Sequence, residues 1–107
     1  MRTDDCGPLW EHVVLEHVLA HFPDLAVRDW RDKQGHEVDF VLPHARDRVD
    51  AIECKWSVRN FQSTGLRAFR QRHPLGRNFV VAPLSGAPYS RTVHGIEVTF
   101  TGLEHLT

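Results

Sequence analysis

Five consecutive residues, Asn78-Phe79-Val80-Val81-Ala82, constrain the fold more than any other feature of this chain. After its asparagine the run carries no polar position, so neither face of such a strand can be left to water. A continuous apolar strand of this kind belongs inside a sheet covered on both faces. Helices must therefore stand on either side of it, and the rest of the sequence supplies two. The first is expected from Pro8 to Phe22, with Gly7-Pro8 opening it and Phe22-Pro23 closing it, and with residues 1–7 as a loose lead-in. The second is expected over Thr64–His73, where Leu66, Phe69 and His73 recur at helical spacing before Pro74. Ala26–Arg31 and His36–Leu42 read as strands joined by the turn Asp32-Lys33-Gln34-Gly35, and Arg48–Trp56 as a third. Pro83–Ser90 reads as a loop rich in proline, glycine and serine, and Gly95–Phe100 as a last strand. The order is α-β-β-β-α-β with one further strand, an α/β fold with a mixed sheet flanked by helices.

A chain of 107 residues fits a single domain over residues 1–107 with one covered sheet. It contains no apolar run of the ~20 residues a membrane span needs, and no signal peptide at Met1. Its two cysteines, Cys6 and Cys54, form no CxxC pair, which argues against a disulfide scaffold and for a reducing, cytoplasmic setting.

Within this frame the strands carry charges where apolar residues are expected. Side chains alternate along a strand, so Glu37, Asp39 and Val41 are expected on one face of the second strand, opposite Val38, Phe40 and Leu42. In the third strand Val49, Ala51, Glu53 and Lys55 share a face, with Cys54 opposite as a small core hydrophobe. Glu53 and Lys55 are then neighbours roughly 6.5–7 Å apart along the strand. If the two strands pair, Asp39 joins them. Two carboxylates from adjacent strands can chelate a hard divalent cation such as Mg²⁺ or Mn²⁺, and a lysine beside them can position an attacking water or stabilise charge on a phosphate. The plain alternative is a surface ion pair on a half-exposed sheet face. Glu11 falls in the middle of the apolar arc of Val14, Leu15, Val18 and Phe22 on the first helix. A carboxylate turned towards a core needs a partner, and a metal site or its water is one.

Charge is unevenly distributed although the net value is −1: Lys55 to Ile96 contains no Asp or Glu, but does contain Arg59, Arg67, Arg70, Arg72, Arg77 and Arg91. Trp56 and Arg59 follow the Lys55 strand directly, and with Arg67 and Arg70 on the second helix they are the expected contacts to a nucleic acid. His17 and His21 stand at i and i+4, but no third ligand accompanies them and they read as boundary residues.

Glu11 in GPLWEHVV, Asp39 in HEVDFVL and Glu53-Cys54-Lys55 in AIECKWS resemble the PD-(D/E)XK nuclease superfamily, whose core is α-β-β-β-α-β with an Asp and a (D/E)-x-K on consecutive strands. The longer wording, DWRDKQGHEVDFVL followed by VDAIECKWS, is similar to a nuclease-like C-terminal domain of uncharacterised function found behind ATPase modules in prokaryotic proteins. The resemblance covers about Gly7 to Pro83. It implies a restriction-endonuclease-like fold and metal-dependent phosphodiester hydrolysis, on DNA or RNA. Asp39, Glu53 and the Cys54 main-chain carbonyl would then hold the metal, Lys55 would serve the water, and Glu11 would complete the site. The ATPase half is missing here, since no GxxxxGK[ST] phosphate loop is present, so the domain is expected either to stand alone or to be a piece of a larger system with an ATPase partner. A two-fold dimer would suit cutting both strands. The rival expectation is a non-catalytic module that uses the same fold to bind nucleic acid or protein.

Overall fold

The computed structural model describes residues 3–106, with side chains from Gly7 onward. Helix α1 (Thr3–His21) is followed by strands β1 (Arg28–Arg31), β2 (Glu37–Pro43) and β3 (Val49–Cys54). A 3-10 turn at Val58–Asn60 leads into α2 (Thr64–Arg72), then β4 (Asn78–Val81), β5 (Tyr89–Val93) and β6 (Ile96–Thr101). All six strands form one mixed sheet in the order β1-β2-β3-β4-β6-β5. The apolar run becomes β4, hydrogen-bonded in parallel to β3 on one side and β6 on the other. Its residues serve both faces: Val81 packs with Val14 and Val18 of α1, and Val80 with Leu66 and Phe69 of α2. None of the described helices is long and apolar enough to cross a membrane.

Parallel strands cannot be joined by a tight turn, so α2 is the crossover between β3 and β4. It must run back against the strand direction, which sets its first turn beside the carboxyl end of β3. Gly65 permits the close approach there. A Cβ at that position would lie 2.2 Å from the Glu37 carbonyl oxygen, so the helix start rests directly on β2.

Three expectations change. Residues 3–7 belong to α1 rather than to a loose segment, with Pro8 inside the helix; residues 1 and 2 lie outside the described residues. Tyr89–Val93 forms a strand where a loop was expected as far as Ser90 and no element beyond it. It is an edge strand with its side chains largely exposed, so it lacks the apolar alternation that marks a buried one. It pairs with β6 through the tight turn His94-Gly95, both residues with positive φ (48° and 86°) as hairpin turns of this length require. The third change is in β2. Arg28 pairs with Val41 but Trp30 with Val38, so β2 has one residue more than β1 between these pairs, a bulge. Val38 therefore joins the core under α2, while Phe40 and Leu42 join the core under α1, although simple alternation puts all three on one face. The other element ends fall within two residues of the expected ones.

At the amino end of β3 lies a fully satisfied polar cluster. Asp50, 2 % exposed, accepts from the Arg77 backbone N–H at 2.8 Å, meets the Arg77 guanidinium at 3.2 Å and lies 3.0 Å from His44 Nε2. Beside it Arg70 donates to Asn78 Oδ1 and to the carbonyl oxygens of Val49, His73, Leu75 and Arg77. His73, Leu75 and Arg77 lie where α2 ends and β4 begins, and Val49 opens β3, so the guanidinium ties this corner together. Arg70 thus closes the fold, and its donors are engaged there rather than offered to a phosphate.

Candidate active site

The bulge determines where Asp39 points. β2 and β3 pair from Pro43–Val49 to Phe40–Ile52 and no further, so the Cys54 backbone N–H has no ladder partner on β2. Asp39 supplies one: its Oδ2 accepts from Cys54 N at 2.7 Å. The carboxylate is held in the opening between the strands, with its other oxygen free of that bond. Glu53 comes from the β3 face turned towards α2. It is 8 % exposed, and its Oε1 is buried with no hydrogen-bond partner among the described residues. Lys55, half-buried, follows just past the end of β3. Asp39, Glu53 and Lys55 line one small cleft of about 220 Å³, whose far wall is Asn60, Gln62 and the start of α2. The trio expected on one face thus meets, but through a strand opening rather than regular alternation.

Electrostatics follows from this geometry. An ionised carboxylate buried without a partner costs several kcal/mol. Burial, and after it the charge of Asp39, therefore push the Glu53 carboxyl from its ordinary 4.5 up to about 8, against the opposing pull of Lys55 and the Asp39 backbone N–H. Asp39 is also raised, mainly by burial, with the Cys54 N–H and Lys55 acting the other way. Cys54, half-buried against the α1-side core, has its thiol pushed up by burial first and by the Asp39 carboxylate second, which makes it inert as a nucleophile.

Glu11 departs from its expected environment. Val14 and Val18 are fully buried as the helical arc requires, but Glu11, one turn earlier, is exposed. It stands at the rim of a second, open cleft of about 500 Å³ on the α1 side, which it shares with Glu37, Asp39 and Arg31. Partial burial and then the charges of Asp39 and Glu37 raise its carboxyl, while Arg31 opposes. Asp39 thus lies between two clefts, with Glu53 and Lys55 on one side and Glu11 on the other.

The expected nucleic-acid contacts separate. Trp56 is 41 % exposed and stands edge-on to Trp10, ring centres 6.0 Å apart. Trp10 Nε1 in turn donates to the Val81 carbonyl at 2.9 Å, at the carboxyl end of β4. Arg59, on the 3-10 turn, and Arg67, on the outer side of α2, are exposed, whereas Arg70 is engaged as described. His17 and His21 stack with ring centres 4.0 Å apart, and His17 Nε2 is hydrogen-bonded to the Leu106 carbonyl. Among the described residues, no three His, Cys, Asp or Glu side chains come together as a metal cage. Sequence reasoning missed Asn60, Gln62, Thr64 and Gly65 as cleft residues. The βαβ crossover itself was the signal for them, since it returns the helix start to the end of β3.

The fold is similar to that of a chain in a half-complex of the tetradecameric assembly of McrB AAA+ hexamers with bound McrC from Thermococcus gammatolerans. The TM-score is 0.64 at 12 % identity, over 90 % of this chain and 27 % of that one. This chain therefore spans about a quarter of the protein it resembles, and at this identity the likeness concerns the fold alone. No curated protein matches the sequence. The family model described as a domain of unknown function, DUF4143, matches residues 6–99. That match extends from α1 through the strands and helix that build both clefts and into β6, and the chain belongs to this family.

Proposed function

We propose that this domain is a metal-dependent nuclease that hydrolyses phosphodiester bonds of DNA, with RNA as the other candidate substrate. One observation carries the reading: Glu53 Oε1, buried and without a partner, at the carboxyl end of a strand beside the Asp39 carboxylate and Lys55. A fold does not keep an unsatisfied carboxylate for stability. A divalent cation is the partner that would satisfy it, and Mg²⁺ or Mn²⁺ needs only one or two protein carboxylates because it retains several waters. The residues present fit such an ion, with Asp39, Glu53 and the Cys54 main-chain carbonyl as its holders.

When bound, the cation would supply Lewis-acid polarisation of the phosphate and an activated water. The chain's own groups do the rest. The Cys54 N–H fixes the Asp39 carboxylate. Lys55, whose backbone N–H is tied to the Val81 carbonyl at 3.0 Å, projects into the cleft where it can orient water or offset charge on phosphate. Glu11 stands at the rim of the α1-side cleft that Asp39 also lines. Trp56 and Arg59 flank the exit from β3, and Arg67 extends a basic side along α2. The likeness to a chain of an AAA+ assembly supports an ATPase module as the working partner of this domain.

Cleavage of supercoiled plasmid and of single-stranded DNA with Mg²⁺ or Mn²⁺, beside Asp39→Ala and Lys55→Ala, tests the reading. Metal-dependent nicking by the wild type and its loss in both variants is the expected outcome. Wild type and variants equally inert, with DNA still bound, would replace the nuclease with a binding module on the same fold.

A further inference from the structure

We propose that the first turn of α2, residues Thr64 to Leu66, holds a phosphate group of the nucleic-acid substrate across the cleft from Glu53 and Lys55. The proposal rests on the nuclease reading of that cleft and assigns its second wall. α2 is nine residues long, and its amino end lines the same cleft as Glu53, whose buried Oε1 has no hydrogen-bond partner among the described residues. Among the described residues, the backbone N–H groups of Thr64, Gly65 and Leu66 have no protein acceptor. The residue that ordinarily caps such a start is a serine, and one is present, but Ser63 is taken elsewhere. Its Oγ lies 2.8 Å from His94 Nδ1, on the tip of the β5–β6 hairpin, and makes no capping bond to α2. The helix therefore presents its free donors and the positive end of its dipole to the cleft, the combination that binds phosphate.

The groups facing this turn fix what the ligand can be. Glu37, Asp39 and Glu53 line the opposite side, and with a cation bound among them they become attractive to an anion. Without one they repel it, so only the α2 turn and Lys55 draw a phosphate into the cleft. The turn is also held in place, since β2 blocks any inward shift at Gly65. Asn60 and Gln62, on the approach to α2, supply neutral donors beside the same position.

Thr64 gives a test that separates charge at the helix start from charge elsewhere on α2. It is an exposed first-turn residue, so Thr64→Glu favours the helix through its dipole while placing a negative charge on the phosphate position. Affinity for a fluorescent single-stranded oligonucleotide is read by anisotropy in EDTA and again with Ca²⁺, for wild type, Thr64→Glu, Thr64→Gln and Gln71→Glu. The last variant adds the same charge at the far end of α2, at another exposed position. The expected result is a loss of roughly tenfold for Thr64→Glu and little change for the other two, with melting temperatures read beside them to show that each variant is folded. Amide resonances of Gly65 and Leu66 should move on titration of the same oligonucleotide. Equal losses for Thr64→Glu and Gln71→Glu would assign binding to the diffuse basic surface and overturn the proposal, as would unmoved Gly65 and Leu66 resonances or no binding by the wild type. Because these readouts need no turnover, a catalytically inert protein that passes them would sink the nuclease reading and leave the phosphate site standing.

Discussion

Two acids of one strand, Asp50 and Glu53, are both buried, and the fold treats them in opposite ways. Asp50 has every partner it can use: a backbone N–H, a guanidinium and an imidazole. Glu53, one residue beyond the last β2–β3 pair, has an oxygen with none. The amino end of β3 closes on itself, and the carboxyl end is left open between two clefts. Burial alone therefore says little about an acid's purpose. What separates a structural carboxylate from a functional one is whether the protein has already satisfied it.

The largest effect should come from the satisfied acid. Asp50→Ala removes the acceptor for the Arg77 N–H and the counter-charge for Arg77 and His44. The Arg77 side chain is 55 % exposed and can find water, which limits the cost to about 3 kcal/mol rather than the higher end for a buried pair. For a domain of this size that lowers the melting temperature by roughly 12–20 °C, measurable by calorimetry at pH 7. A loss of only a few degrees would mean that the cluster is not structural.

Glu53 should behave in the opposite sense. Its carboxyl is raised from 4.5 to about 8 in the folded chain, so between those values the native state holds a proton that the unfolded state has released. Stability is then highest at and below about pH 4.5 as far as this group is concerned, falls as pH rises through the window, and is fully lost above pH 8. Asp39 and Glu11 shift the same way and add to the slope. Glu53→Gln removes its share, and above pH 8 it should be more stable than the wild type by about 2 kcal/mol, within the linkage bound. Urea unfolding at pH 5 and pH 9 measures this. A wild type whose stability is flat over that range would refute the unpaired buried carboxylate.

The same contrast explains what the sequence could and could not disclose. Val80 and Val81 announce a strand covered on both faces because each carries its own apolar requirement, and Leu66 and Phe69 announce a helix by spacing. Glu53 and Lys55 stand out because they break an apolar strand locally. The role of Asp50 was hidden, since Arg77 lies 27 residues away and meets it only through the β3–β4 pairing. Arg70 read as a free cation for the same reason: the carbonyls it binds are gathered by the α2–β4 corner. The bulge left no trace because Val38 and Phe40 are apolar whichever face they take, yet it moves Asp39 into the strand opening. Glu11 was placed by helical phase, which gives direction but not where the sheet ends. β5 is polar along its length and could be reached only through the turn His94-Gly95.

The smallest effect is also the one that sharpens the comparison most. If Glu53 is unsatisfied because a cation belongs there, Mn²⁺ or Mg²⁺ should stabilise the folded chain at pH 8, where Glu53 has begun to ionise. A ligand at ten times its dissociation constant adds about 1.4 kcal/mol, which corresponds to a rise of several degrees in melting temperature. Glu53→Gln and Asp39→Asn should each abolish that rise. Asp50→Ala, although far less stable, should keep it, because the closed end of β3 has no part in holding the ion. The shift also has a pH signature: lowering pH to 5 protonates Glu53 and should erase it in the wild type. A cation effect that survived in Glu53→Gln, or persisted unchanged at pH 5, would place the ion on surface acids and return Glu53 to the status of a strained structural residue.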